Sequence, residues 1–212
     1  LLRLKSNGGQ DAHNLSTEEL RTMVLESGAF IPPKHRSILL NLFDLESVTV
    51  ADIMTPRSEI EGIDLSDSID VLREQIASSY HSRLVVYEGD PGNVVGVLHQ
   101  RRLIHDAFAG EFTHERLREL LSEPYFIPAA TPIYAQMQFF RDNRRRMGLV
   151  VDEYGEIQGL VSMEDTVEEI IGKFTTSLPG TTAGFEWNAD GVVLVDGMAS
   201  LRDLNRRLGL EL

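Results

Sequence analysis

Apolar positions recur along this chain at two spacings, and the switches between them mark its elements. The stretch from Leu1 to Asn14 has neither spacing, is broken by Gly8 and Gly9, and reads as a linker. A helix is predicted to start at Ser16, which forms a capping-box pattern with Glu19. Leu15 and Leu20 have the spacing of a hydrophobic staple, and Gly28 supplies a stop. Pro32 and Pro33 forbid continuation, and beyond them Ile38, Leu39, Leu42 and Leu45 form the apolar stripe of a second helix.

From Val50 to Gly172 the pattern occurs twice. The first copy has Ile63, Ile69, the apolar run Leu84 to Tyr87, a turn over 88–93, a second run Val94 to Leu98 and a helix from about Arg101. The second has Ile127, Ile133, Leu149 to Val151, a turn over 152–156, Ile157 to Val161 and a helix from about Met163. Ile63 and Ile127 are 64 residues apart and Gly96 and Gly159 are 63 apart, the difference falling in the hairpin turn. Each copy therefore reads strand, helix, strand, strand, helix. A copy of that size buries its sheet and helices poorly alone, so the two are expected to pack together. After Gly172, Lys173 to Gly184 reads as a linker. Phe185 to Val195 reads as a hairpin around Asn188–Gly191, and Ser200 opens a helix that Gly209 ends. The implied division is 1–46 for the lead-in helices, 47–110 and 111–173 for the copies, 174–184 for the linker and 185–212 for the opening of a small domain. The fold class is α+β.

Composition narrows the possible functions. With 212 residues, 42% of them hydrophobic, the chain is globular, and a formal net charge of -13 argues against a nucleic-acid partner. The absence of cysteine removes disulfides and thiolate metal sites. No apolar run reaches the ~18 residues of a membrane span, and the chain as given is expected to be soluble. A start at Leu1 rather than methionine and an end at Leu212 in the middle of a fold element lead us to expect a portion of a longer protein. Signatures of hydrolases, P-loop enzymes and zinc proteases are missing, so no enzymatic activity and no catalytic residue are expected. The six histidines lack ligand spacing, which gives no metal site from the protein alone.

Three stretches carry candidate chemistry. Ser162 and Asp165 open the last helix of the repeat, either as a capping box or as a wall of a phosphate and ribose site. Thr55, Pro56 and Arg57 place a hydroxyl, an extended backbone and a guanidinium before the first copy. His81, Ser82 and Arg83 add another hydroxyl and guanidinium before its central strand. Arg141, Arg144, Arg145 and Arg146 form a basic cluster, either offsetting a helix C-terminus or facing a phosphate or a second subunit.

With Met54–Arg57 before the first copy and Gly159–Asp165 closing the second, the repeat resembles a tandem cystathionine-beta-synthase (CBS) domain pair. The run Val50–Arg57, the helix at Leu15 and the later Thr/Pro-rich linker make it similar to the cytoplasmic part of the CorC/HlyC (magnesium and cobalt efflux) family. That resemblance implies a transmembrane domain before the pair, a small domain after it and a location on the cytoplasmic face of the bacterial inner membrane. It also implies homodimerisation through the CBS pairs and regulation of divalent-cation transport by an adenosine nucleotide, ATP or AMP. Thr55, Pro56 and Arg57, with His81, Ser82 and Arg83, fall on the nucleotide-contacting segments, Ser162 on the hydroxyl at the helix start and Asp165 on the ribose carboxylate. Acidic side chains crowd that helix start and would repel a polyphosphate unless Arg57, Arg83 or a divalent cation intervenes; Mg²⁺ bound through the phosphates, with Glu164 as a further ligand, fits that role. The first copy has His99 and Arg102 in place of Ser162 and Asp165, so one site per chain is expected; Val85 stands where family members often have proline. The alternative is a dimerisation module that binds no nucleotide, with Ser162 and Asp165 only capping a helix.

Overall fold

The computed structural model describes residues 15–27, 30–103 and 112–172, with isolated positions at 192, 193, 195 and 204. The expected N-terminal linker, Gly28, most of the helix from Arg101, the 174–184 linker and nearly all of 185–212 lie outside the described residues. Two lead-in helices come first, α1 (Thr17–Glu26) and α2 (Pro33–Asp44). The Ser16–Glu19 capping box forms as the sequence predicts, and an Arg21–Asp44 ion pair joins the two helices.

The two copies follow. The first holds β2 (Gly62–Asp64), α3 (Ile69–Ser78), β3 (Arg83–Glu88) and β4 (Asp90–His99), and its closing helix is described only over 100–103. The second holds β5 (Phe126–Pro128), α5 (Ile133–Asp142), β6 (Met147–Val151), β7 (Ile157–Ser162) and α6 (Met163–Ile171). In each sheet the first strand pairs parallel to the central one, and the hairpin strand pairs antiparallel. The first hairpin is tighter than its sequence suggests: β4 starts at Asp90, straight after Gly89 at φ 76.

Both central strands are near-continuous apolar runs because both of their faces are covered. Leu84 and Val86 enter the first copy's core with Ile63, Leu72 and Leu98, while Val85 points the other way. Val150 enters the second core with Ile127, Phe140 and Val161, while Leu149 meets Val85 and Ile157 where the copies join.

The segment ahead of each copy's first strand packs on the other copy. A short β1 (Thr55–Pro56) pairs with β7 of the second copy, and Val50, fully buried, sits in the second core. In return α4 (His114–Leu120), an element the sequence pattern does not announce, sends Leu117 into the first core, and Ser122 bridges to Val97 of β4. This exchange brings residues from opposite ends of the repeat to one cleft.

Candidate functional site

Thr55 reaches the second copy because Gly159 lets it. A Cβ at Gly159 would lie 2.5 Å from the Thr55 carbonyl oxygen and 2.7 Å from Met54 Sδ, so only a glycine admits β1 at this register. Thr55 therefore stands opposite Leu160, two residues before Ser162, the residue that caps α6. The loop before β3 is held by Gln100, whose side-chain amide donates to the Ile76 carbonyl at 3.0 Å and whose backbone N–H donates to that of Ser82 at 3.1 Å. His81 Nε2 lies 3.1 Å from Glu61 Oε2.

These segments enclose a cavity of about 430 Å³. Thr55, His81, Ser82, Arg83, Ser162 and Glu164 line it, six of the nine residues the sequence singles out. The hydroxyls of Thr55 and Ser82 and the guanidinium of Arg83 make no hydrogen bond or ion pair with other described residues, which leaves them available to a ligand. Ile60, Val85, Met147 and Leu160 form an apolar floor, and Tyr80 stands at the rim, 89% exposed. Glu59, Glu61, Tyr80 and Arg146 also line the cavity although the site predicted from the sequence omits them. For Arg146 a signal existed, since it lies 64 residues after Ser82 and so at the matching point of the second copy. Among the described residues no group of three or more His, Cys, Asp or Glu is placed to hold a metal ion.

Pro56, Arg57 and Asp165 stand apart from the lining. Pro56 pairs with Gly159, and Arg57 points toward Asp90 at 4.0 Å. Asp165 completes the capping box: its Oδ2 accepts from Ser162 N–H at 2.7 Å, and its own N–H donates to Ser162 Oγ at 3.1 Å. Burial pushes the Asp165 carboxyl above its ordinary value of 3.8, outweighing the hydrogen bonds with Ser162 that pull it down, and the Glu164 charge adds to the rise. A carboxyl raised by folding gives stability that is complete below the ordinary value and is lost as pH rises through the folded value. Asp165→Asn keeps an acceptor for Ser162 N–H and has no charge to bury. Its stability in urea should therefore gain on the unsubstituted chain as pH rises from 4 to 7; a constant difference would rule out the buried charge.

The pseudo-equivalent position in the first copy also holds a cavity, of about 330 Å³. There His99 takes the place of Ser162, paired with Arg83 as Ser162 is with Met147. Ser122 takes the place of Thr55. Burial lowers the His99 pKa, and Arg83, Arg102 and Arg101 lower it further. Arg144, Arg145 and Arg146 line this cavity, whereas Arg141 pairs with Asp142 at 3.0 Å.

Comparison with known proteins agrees with this architecture. The CBS-domain family model matches residues 50–107 and 117–172. The Escherichia coli inner membrane protein YfjD, of the UPF0053 group, is 42% identical over 94% of this chain, which spans 47% of that relative. A CBS-domain pair with bound AMP from Klebsiella pneumoniae is 42% identical over 59% of this chain and 99% of its own, with a TM-score of 0.54. The CBS domain of a bacterial CNNM/CorC family Mg²⁺ transporter in complex with ATP is 30% identical over 67% of this chain and 100% of its own, with a TM-score of 0.61. No helix among the described residues is long and apolar enough to cross a membrane. With the family model matching both copies and CorC-group relatives matching along the chain, the chain belongs to the CBS-domain family as a tandem CBS pair of the CorC/HlyC group.

Proposed function

We propose that this chain is the regulatory module of a membrane divalent-cation transporter, binding an adenosine nucleotide in the cavity between Thr55, Ser82 and Ser162. The observation that carries this reading is the convergence of three separated segments on one cavity with two hydroxyls and a guanidinium left unpartnered among the described residues. The apolar floor suits a base, and the hydroxyls suit a ribose. Nucleotide-bound relatives of the same fold support the ligand class. Mg²⁺ travels on the phosphates, with Glu164 on the cavity wall as the carboxylate we assign to it. The role is binding, not catalysis.

The output runs through α6. Its cap Ser162 and its first-turn residue Glu164 line the cavity, while at its far end the Ile170 carbonyl accepts from the Asn41 side chain of α2 at 3.1 Å. A helix of nine residues is about 13 Å long, so one rigid rod links the cavity to the lead-in helices. A nucleotide that binds one setting of that rod better than another shifts its population. Toward the N-terminus the lead-in helices would pass the shift to a transmembrane domain at the cytoplasmic face of the inner membrane, in a homodimer.

Titration calorimetry with ATP, ADP and AMP, in Mg²⁺ and in chelator, tests the reading. The chain should bind, and Thr55→Ala should weaken binding about two- to tenfold, the worth of one hydrogen bond. Since the Thr55 hydroxyl has no partner among the described residues, stability should move by less than about 0.5 kcal/mol. A chain that gives no heat with any nucleotide yet sediments as a dimer would be the dimerisation module instead. Equal affinity in Mg²⁺ and chelator would remove the cation from the site.

A further inference from the structure

Charge is sorted between the two cavities. The first carries Glu59, Glu61 and Glu164. The second carries Arg144 and Arg145 against a single carboxylate, Glu123. Arg83, Arg146 and Met147 line both, so the cavities adjoin along a shared wall. A phosphate chain held wholly in the first cavity would face three carboxylates, with only Arg83, Arg146 and the Glu61-paired His81 to set against them. The start of α6 would help it little, because the capping box already engages the Ser162 and Asp165 N–H groups.

The basic side has capacity to spare. Arg144 and Arg83 make no side-chain hydrogen bond or ion pair with other described residues. Arg145 donates to the Glu123 carbonyl at 3.3 Å and lies 5.4 Å from the centre of the Tyr125 ring, which fixes its plane against the cavity. Arg146 Nη1 sits 3.7 Å from Glu164 Oε1, at the border between the two charge fields. Arg144 is also the one non-glycine among the described residues with positive φ, at 53°. Glycine or asparagine takes that conformation more readily, so the turn gives up stability in holding an arginine there.

We infer that one ligand lies across both cavities. Its nucleoside occupies the Thr55 and Ser82 side, and its phosphate chain passes Arg83 and Arg146 to reach Arg144 and Arg145. This rests on the nucleotide reading above and adds a selectivity to it: the site prefers a nucleoside triphosphate to a monophosphate, because only the longer chain reaches the far arginines. The arginine cluster and the first copy's altered cavity then share one purpose, as the polyphosphate half of a single site.

Arg144→Gly is the informative variant, since glycine suits φ 53 and removes the guanidinium without disturbing the fold. Calorimetry on the full chain in chelator should show ATP affinity falling about tenfold, with AMP affinity unchanged within about twofold, as expected for losing a charge-assisted contact. Inorganic tripolyphosphate should displace ATP and leave AMP bound. If the unsubstituted chain binds ATP and AMP equally, or Arg144→Gly weakens both alike, the spanning arrangement is wrong while the nucleotide reading stands. If tripolyphosphate binds and no adenosine nucleotide does, or if nothing binds, both are wrong.

Discussion

Gly159→Val is expected to lower stability by about 1–3 kcal/mol, the usual result of forcing atoms into a filled space, and to weaken nucleotide binding in the same step at least as much as Thr55→Ala does. The space is filled by backbone. A Cβ there would lie 2.5 Å from the Thr55 carbonyl oxygen, and the side chain of Met54 closes the other side at 2.7 and 2.9 Å. A flexible side chain could swing away, but a carbonyl cannot unless the strand moves. Because β1 is two residues long and held through Thr55↔Leu160 and Pro56↔Gly159, moving it displaces the hydroxyl that lines the cavity. Gly96 is the control. A Cβ there would meet Leu121 Cβ at 2.8 Å, so valine should cost comparable stability while leaving Thr55 in place. Urea denaturation reads the stability, and calorimetry on the folded variant reads binding. Parent-like nucleotide affinity in Gly159→Val would mean that the position of Thr55 is immaterial.

These two glycines also show what a sequence can reveal here. Their offset of 63 residues exposes the repeat, and with it the order of strands and helices. The apolar runs at Leu84 and Leu149 are legible because strands covered on both faces have no polar alternation to hide them. The capping boxes at Ser16 and Ser162 are legible because the hydrogen bonds are local. The crosswise packing is not legible. It depends on a two-residue strand, a bridge at Ser122 and one buried leucine on the seven-residue α4, none of which spans enough residues to set a period. The site is divided in the same way. Its hydroxyls and Arg83 stand in recognisable runs, whereas Glu59, Glu61 and Tyr80 enter the cavity only through the path of the chain around β2 and α3. The arginine cluster could be read as a helix end or as a phosphate-facing patch. The structure divides it, with Arg141 on Asp142 and the other three on the cavity.

Phe140→Ala should have the largest effect on stability, about 3–5 kcal/mol, as for other buried aromatics truncated to alanine. Phe140 is 1% exposed and packs with Val50, Ile127, Val150 and Val161, so the void left behind has rigid strand walls on most sides. Collapse into it would require β5, β6 and β7 to shift together. At about 2–4 °C per kcal/mol for a chain of this length, the melting temperature should fall by an easily measured amount. The form of the transition is as informative as its midpoint. Val50 reaches this core from ahead of the first copy's first strand, and Leu117 reaches the other core from ahead of the second copy's first strand, so neither copy can unfold without stripping residues from its partner. Phe140→Ala is therefore expected to move one cooperative transition to lower temperature, with calorimetric and van't Hoff enthalpies still equal. Two separated transitions would mean that the copies are independent domains and that the exchange contributes little. The site should register the change as well. The Phe140 ring meets Tyr125 edge-on at 6.3 Å, and Tyr125 carries Arg145 on its face, so the cavity's arginine wall rests on this core. Loss of the ring should loosen Arg145 and weaken ATP more than AMP, even at temperatures where the variant is fully folded.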